Sequence, residues 1–384
     1  MRSHPALERA LDALEPCVSL VGGVVRDGLL GTPLGDDVDL VVEGDVAAVA
    51  GRVAQRLGAR LSLHERFRTA SVHFDDGTHL DFVGARRESY PRPGALPEVE
   101  PGTLDDDLRR RDFTVNAMAL RLVGPDAGTL VDPLGGCADL ERRLIRNLRP
   151  DAFEEDPSRI VRAARQAARL RFALENGTRR AAETHAPRLD WGNARVAEEL
   201  RRLFGERDPA PAVELLRELG ARGLAAEDPP GTAASLDEVM ARDGVPVVER
   251  WPLLMGRFAS EALLRRVALP GWAVEQARAS TAADYLVTDL QRMDSPSAAD
   301  RRLGLAPLAA AIVAAARGAP WAGDWLVRDR LRELEIDGSA LIDAGVPQGP
   351  AIGRGLDAAR AAMLDGQAET RDAQLRVALG AASE

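Results

Sequence analysis

Asp37 and Asp39 stand one residue apart, shortly after the run Gly22-Gly23-Val24-Val25-Arg26-Asp27. Side chains at i and i+2 of a strand share a face. Two carboxylates so spaced can hold an oxygen-seeking cation such as Mg²⁺ between them. Val38, Leu40 and Val42 then point the other way, into a core. A glycine turn that feeds a helix offers backbone N–H groups to a phosphate, and Arg26 adds a cation there. These are the groups that metal-assisted transfer of a nucleotide needs. Either motif alone fits a strand, a turn and a helix with surface acids. Both together, in this order, favour the chemical reading.

Two further clusters carry polar groups of the right type. Arg109-Arg110-Arg111-Asp112-Phe113-Thr114-Val115-Asn116-Ala117 opens an apolar run. Arginines beside a carboxylate site suit a triphosphate or a sugar, and Asn116 can bond a ribose hydroxyl or hold the loop. A solvated, capped turn explains the same residues equally well. Glu154-Glu155-Asp156-Pro157-Ser158-Arg159 opens a long helix, with Asp156 fitting the N-cap and Pro157 the first turn. Arg159, Arg162, Arg165 and Arg169 then fall within an arc of about 120°. Ile160, Val161, Ala164, Ala167 and Ala168 fill an apolar arc beside it. One face packs, and the other is a cationic ridge without matching i+4 acids.

These residues need a scaffold. Val18–Val21, Val38–Glu43, Thr69–Phe74, His79–Val83 and Ala117–Val123 read as short strands, with helices over Val24–Leu30 and Val46–Leu57. Beyond about residue 150 the strand signal nearly vanishes. Alanine-, leucine- and arginine-rich helical patterns follow, broken by glycine and proline. The 384 residues suffice for two or more domains. No apolar run approaches the ~18 residues of a membrane span, and the start has no signal-peptide pattern. Cys17 and Cys137 lack metal-ligand spacing and read as reduced thiols. The net charge of −10 turns away nucleic acid overall, so such a partner must meet a local basic face. All 50 basic residues are arginine, which binds phosphate in a bidentate way. Aromatic residues, at 4%, are too scarce for recognition by many stacked rings.

The ordered motifs Gly22–Asp39, Arg110–Ala117, Asp132-Pro133-Leu134-Gly135-Gly136-Cys137-Ala138-Asp139-Leu140 and Glu155–Arg159 resemble the signatures GGxVRD…DxD, RRDFTxNA, DPxGGxxDL and EDxxR. They are those of the tRNA nucleotidyltransferase/poly(A) polymerase family, in its bacterial class II CCA-adding form. The resemblance implies an α+β fold: a polymerase β-like, mixed-sheet nucleotidyltransferase head over residues 1–148, a helical neck over 149–205, and an all-α body and tail over 206–384. It implies template-independent addition of C and A nucleotides from CTP and ATP to the 3′ end of tRNA, in the cytoplasm, with no membrane or protein partner. Asp37 and Asp39 would be the catalytic, Mg²⁺-binding pair, with Asp81 a possible third carboxylate. Gly23, Arg26 and Arg111 would meet the nucleotide. Asp156 and Arg159 would read the base edge, with Arg162 and Arg165 nearby. The segment Gly84–Leu108 matches the family's flexible loop, and equally an exposed connector. Alternatives within the resemblance are addition of CC only or A only, or a poly(A) polymerase; outside catalysis stands an RNA-binding protein on a decayed transferase fold. All five histidines precede residue 186, so the HD phosphohydrolase domain of some relatives is not expected.

Overall fold

The structure is a computed structural model and describes residues 4–32, 38–64, 68–89, 98–225 and 231–383. The chain divides into two compact units, Met1–Leu189 with Leu215–Arg222, and Asp190–Glu214 with Gly223–Glu384.

The first unit is built on a mixed sheet. Its strands are β1 (Val18–Val21), β2 (Asp39–Val42), β3 (Arg60–His64), β4 (Thr69–His73), β5 (His79–Gly84), β8 (Ala119–Arg121) and β9 (Leu130–Val131). Their order is β3-β4-β5-β2-β1-β8-β9, with β2 and β5 parallel and the remaining pairs antiparallel. Val18, Leu20, Leu40, Val42, Val72, Leu80 and Phe82 are fully buried. On β4 and β5, Val72, Leu80 and Phe82 alternate with half-buried residues, so a one-residue slip there would turn them outward. The helices are α1 (Pro5–Ala10), α2 (Gly23–Leu29), α3 (Val46–Leu57), α4 (Leu104–Arg109), α5 (Gly136–Arg142), α6 (Ala152–Glu155), α7 (Ser158–Leu170) and α8 (Asn176–His185). Helix α3 has the limits its sequence announces. The Asp45 carboxylate accepts from Ala48 N–H at 3.1 Å, and Gly58 closes the helix at φ 63°. Between them Val46, Val49, Ala50, Val53 and Ala54 form the buried stripe.

The described residues between Gly84 and Leu108 form a hairpin and a helix. Arg86–Ser89 (β6) pairs antiparallel with Glu98–Pro101 (β7). Helix α4 follows, opened by a capping box between Thr103 and Asp106. Tyr90 and the prolines at 91, 93 and 97 lie outside the described residues.

The second unit is helical, from Ala194–Gly205 to Arg371–Ala382. Side chains of Asn193, Ser260, Ser295, Asp337 and Thr370 cap its helices. The glycine- and proline-bearing stretches Gly244–Pro246 and Ser295–Ser297 fall between helices or at a helix start. No helix among the described residues is long and apolar enough to cross a membrane.

Candidate active site

The site gathers at one end of the sheet. Leu20 of β1 pairs with Leu40 of β2, so the Gly22 turn and Asp39 lie at the same end. On the other side of β1, Gly22 N–H donates to the carbonyl of Met118, just ahead of β8. Parallel pairing of β2 with β5 sets Asp39 in register with Asp81. Residues so paired share a face, and two carboxylates therefore meet on neighbouring strands. Asp39 is exposed. Ser71 Oγ donates to Asp81 Oδ1 at 2.5 Å, and His79 Nε2 lies 3.6 Å from Asp81 Oδ2. Asp37 lies outside the described residues. Among the described residues no group of three or more His, Cys, Asp and Glu is placed to hold a metal ion. Two all-oxygen donors still fit Mg²⁺, which takes one or two carboxylates and completes its shell with water and substrate phosphate. Neither β2 nor β5 carries a cysteine, so their donor chemistry does not suit a thiolate-seeking metal.

Gly22 has φ 80°, and a Cβ there would stand 2.8 Å from Arg111 Nη1. The positive φ requires glycine there, and a Cβ would also push the end of Arg111 aside. Gly22→Ala is expected to lower stability by about 1–3 kcal/mol, from backbone strain and a displaced Arg111. A thermal melt checks this, and an unchanged midpoint would contradict it. Gly23 sits beneath the Arg26 guanidinium, whose Nη2 would be 3.3 Å from a Cβ at that position.

Arg26 is buried, at 2% exposure. Its Nε donates to Asp27 at 2.8 Å, and its Nη1 donates to Asn116 Oδ1 at 2.5 Å. Burial pulls its pKa below the ordinary arginine value, opposed by the neighbouring Asp27. The resemblance implies phosphate contact for this residue; its surroundings favour bracing the turn. Asn116 Nδ2 donates to Asp112 Oδ1 at 2.9 Å and to Gln166 Oε1 at 3.0 Å. Asp112 also accepts from Phe113 N–H and, at 3.1 Å, from Arg162 Nη1. Burial alone would raise the Asp112 carboxyl, but Arg162 and these hydrogen bonds hold it below the usual carboxylate range.

Arg110 and Arg111 share one carboxylate. Fully buried Asp107 accepts from Arg110 at 2.9 and 2.5 Å through Oδ1, and from Arg111 at 3.1 and 2.9 Å through Oδ2. Arg110 Nη1 also reaches Glu88 of β6. Sequence reasoning passed over Asp107, although its spacing of three and four residues from these arginines on one helical stretch is a readable signal. The segment Asp132–Leu140 is structural. Asp132 accepts from the N–H groups of Gly136 and Cys137, and Asp139 accepts from Thr114 Oγ1 at 2.6 Å and from Arg146.

On α7 the cationic ridge is partly buried against other segments. Arg159 is 5% exposed and donates to the Arg110 carbonyl, Arg162 pairs with Asp112, and Arg169 lies 3.8 Å from Asp27. The balancing acids come from distant segments, not from the helix itself. Arg165 is partly buried on the same helix. Asp156 is extended and buried, and its Oδ1 accepts from Ser158 N–H at 3.1 Å and Ser158 Oγ at 2.6 Å. The sequence puts Asp156 at the N-cap; instead Pro157 is the N-cap of α7 and Asp156 stands one residue earlier, bonded to Ser158.

Residues 18–146 match the family described as Poly A polymerase head domain. The chain is 42% identical over 205 residues to the A-adding tRNA nucleotidyltransferase of Halalkalibacterium halodurans, an alignment covering 52% of this chain and 48% of that protein. The chain thus spans about half the length of that relative, and less of two other A-adding relatives. It is 37% identical over 348 residues to the CC-adding tRNA nucleotidyltransferase of Deinococcus radiodurans, covering 88% of this chain and 82% of that one. Among solved structures, the Thermotoga maritima CCA-adding enzyme complexed with tRNA superposes with a TM-score of 0.71 at 25% identity, covering 99% of this chain and 96% of that chain. With the mixed-sheet head and the helices that follow, these likenesses establish that the chain belongs to the tRNA nucleotidyltransferase/poly(A) polymerase family.

Proposed function

We propose that this protein transfers C and A nucleotides from CTP and ATP to the 3′ end of tRNA without a nucleic-acid template. The observation that carries the proposal is the shared sheet end, where Asp39 and Asp81 stand in register beside the Gly22 turn. In this reading Asp37 and Asp39 hold divalent metal, with Mg²⁺ the fitting ion and Asp81 a third oxygen donor. Metal bound there would lower the pKa of the attacking 3′-hydroxyl and neutralise the leaving pyrophosphate. Gly23 allows close approach to the phosphates and Arg26 braces that turn. Arg111, aimed across Gly22, supplies the cation to the nucleotide. The functional division is a head over 1–148, a neck over 149–205, and a body and tail over 206–384 that grip the tRNA by backbone and shape. A cytoplasmic location accompanies that substrate.

Base choice falls to Asp156 and the start of α7. Cytosine and adenine each present an amine donor beside a ring-nitrogen acceptor. Asp156 accepts from the amine and Arg159 donates to the ring nitrogen, with Arg162 and Arg165 supporting. Uracil and guanine present a carbonyl in place of the amine, which leaves the carboxylate facing an acceptor. An unpaired buried group of this kind costs about 1–3 kcal/mol, or roughly 10- to 100-fold in selectivity. The relatives named as A-adding and CC-adding support a second reading, in which this chain adds only one part of the CCA end.

The test uses labelled CTP and ATP with tRNAs ending before C74, before C75 and before A76. Extension of all three supports the full activity, and extension of one class identifies a specialist. No incorporation on any of them, with Mg²⁺ present, overturns the proposal. EDTA is expected to abolish incorporation.

A further inference from the structure

We propose that Gln166, through Asn116, is a positioning residue that sets the rotation of α7 and thereby the nucleotide preference of the site. The proposal rests on the function proposed above. Asn116 offers two amide hydrogens and one carbonyl oxygen for strong bonding. All are engaged: Oδ1 by Arg26, and Nδ2 by Asp112 and Gln166. The orientation of the amide is not ambiguous, because a guanidinium only donates and an ionised carboxylate only accepts. Asn116 and Gln166 are 7% and 8% exposed. The four-way junction therefore joins the Gly22 turn, the Asp112 loop and α7 out of water's reach, where each bond is electrostatically stronger.

The geometry along α7 gives the junction its leverage. Arg162, Gln166 and Arg169 are spaced i, i+4 and i+7, one stripe of a helix. Each meets a different head residue: Arg162 meets Asp112, Gln166 meets Asn116, and Arg169 meets Asp27. Arg169 is 42% exposed and 3.8 Å from Asp27, and a pair of that kind is weak and adaptable. Arg162 pairs with the buried Asp112 carboxylate. The Gln166–Asn116 contact is buried and neutral on both sides, and together with the Arg162 pair its length and direction fix how α7 is turned. On the helical wheel Arg159 and Arg165 flank this stripe. A side chain lies about 5–6 Å from the helix axis, so a 20° rotation moves its tip by about 2 Å. Misplacement of about 1 Å in a reactive geometry can cost on the order of 100-fold. Gln166 touches neither substrate nor metal in this account, and it acts only through the arginines it positions.

Gln166→Leu and Gln166→Met keep the bulk but leave one Asn116 hydrogen without an acceptor. Gln166→Glu retains an acceptor and is the conservative rescue. The first readout is hydrogen exchange of the α7 amides, which needs no catalysis. Faster exchange is expected in the Leu or Met variant and wild-type protection in the Glu variant; unchanged protection in the apolar variants overturns the link. The second readout is kcat and KM for CTP and ATP on the shortened tRNAs. The apolar variants are expected to raise nucleotide KM about tenfold, to change the CTP-to-ATP ratio of kcat/KM, and to leave KM for tRNA alone. Loosened α7 amides with both nucleotide KM values within twofold of wild type overturn the positioning role. A wild-type protein that incorporates nothing refutes the function proposed above, while the exchange result still decides the link.

Discussion

Asp39→Ala is expected to abolish nucleotide incorporation while leaving tRNA binding close to wild type. Asp39 is an exposed side chain at the start of β2, and its register partner Asp81 carries the only other carboxylate of the described pair. Metal-borne charge stabilisation is worth several kcal/mol in a transition state, so its loss should lower kcat by about 1,000-fold or more. The fold should not notice, since an exposed carboxylate away from the core moves stability by less than about 0.5 kcal/mol. Three measurements separate the readings: incorporation rate, tRNA affinity by filter binding, and a thermal melt. Loss of tRNA binding, or a melting midpoint lowered by many degrees, would make Asp39 a structural residue. Asp81→Ala offers a graded comparison, with a smaller loss expected if Asp81 is an auxiliary oxygen donor.

Asp107→Ala is expected to be the most destabilising single change in the first unit. The carboxylate has no exposed surface and holds two guanidiniums that are each 16% exposed. Removing one partner from such a group leaves buried charge uncompensated, at a cost of about 3–5 kcal/mol. That is a large share of the roughly 5–15 kcal/mol by which a domain is stable. The loss reaches the site as well, because Arg111 spans from Asp107 to the Gly22 turn. Asp107→Asn keeps the shape and removes the charge, and should fall between wild type and the alanine variant in both melting midpoint and nucleotide KM. Denaturant unfolding followed by a probe in the first unit is the check. A shift equivalent to less than about 0.5 kcal/mol, the size of an ordinary surface change, would contradict the account.

The sequence made the local elements legible and left the long-range partners hidden. Helix α3 could be read because Asp45 and Gly58 mark its ends and five small apolar residues mark its buried face. Strands β1, β2, β4 and β5 could be read from short apolar runs. The hairpin of β6 and β7 could not, since Arg86-Arg87-Glu88-Ser89 and Glu98-Val99-Glu100-Pro101 show no apolar alternation. Its pairing depends on its partner, and the sequence alone resembles a connector. The arginine arc of α7 was visible as an arc, but its neutralising acids were not. Asp112 lies 50 residues before Arg162, and Asp27 lies far earlier still. The same distance concealed Gln166, an ordinary polar residue on a helix until the fold sets it 3.0 Å from Asn116. Asn116 itself was singled out with two roles open, and the structure shows it holding the loop.

Without a template, the protein is proposed to select cytosine and adenine through Asp156 and the start of α7. The most direct measurement offers each of the four ribonucleoside triphosphates singly, with Mg²⁺, to tRNAs lacking the CCA end in whole or in part. Selection by Asp156 and Arg159 predicts incorporation of C, of A, or of both, with UTP and GTP slower by roughly 10- to 100-fold. Asp156→Ala should narrow that gap. Incorporation of UTP or GTP at rates matching CTP or ATP, or a long ladder of adenosines on any RNA end, would contradict the account.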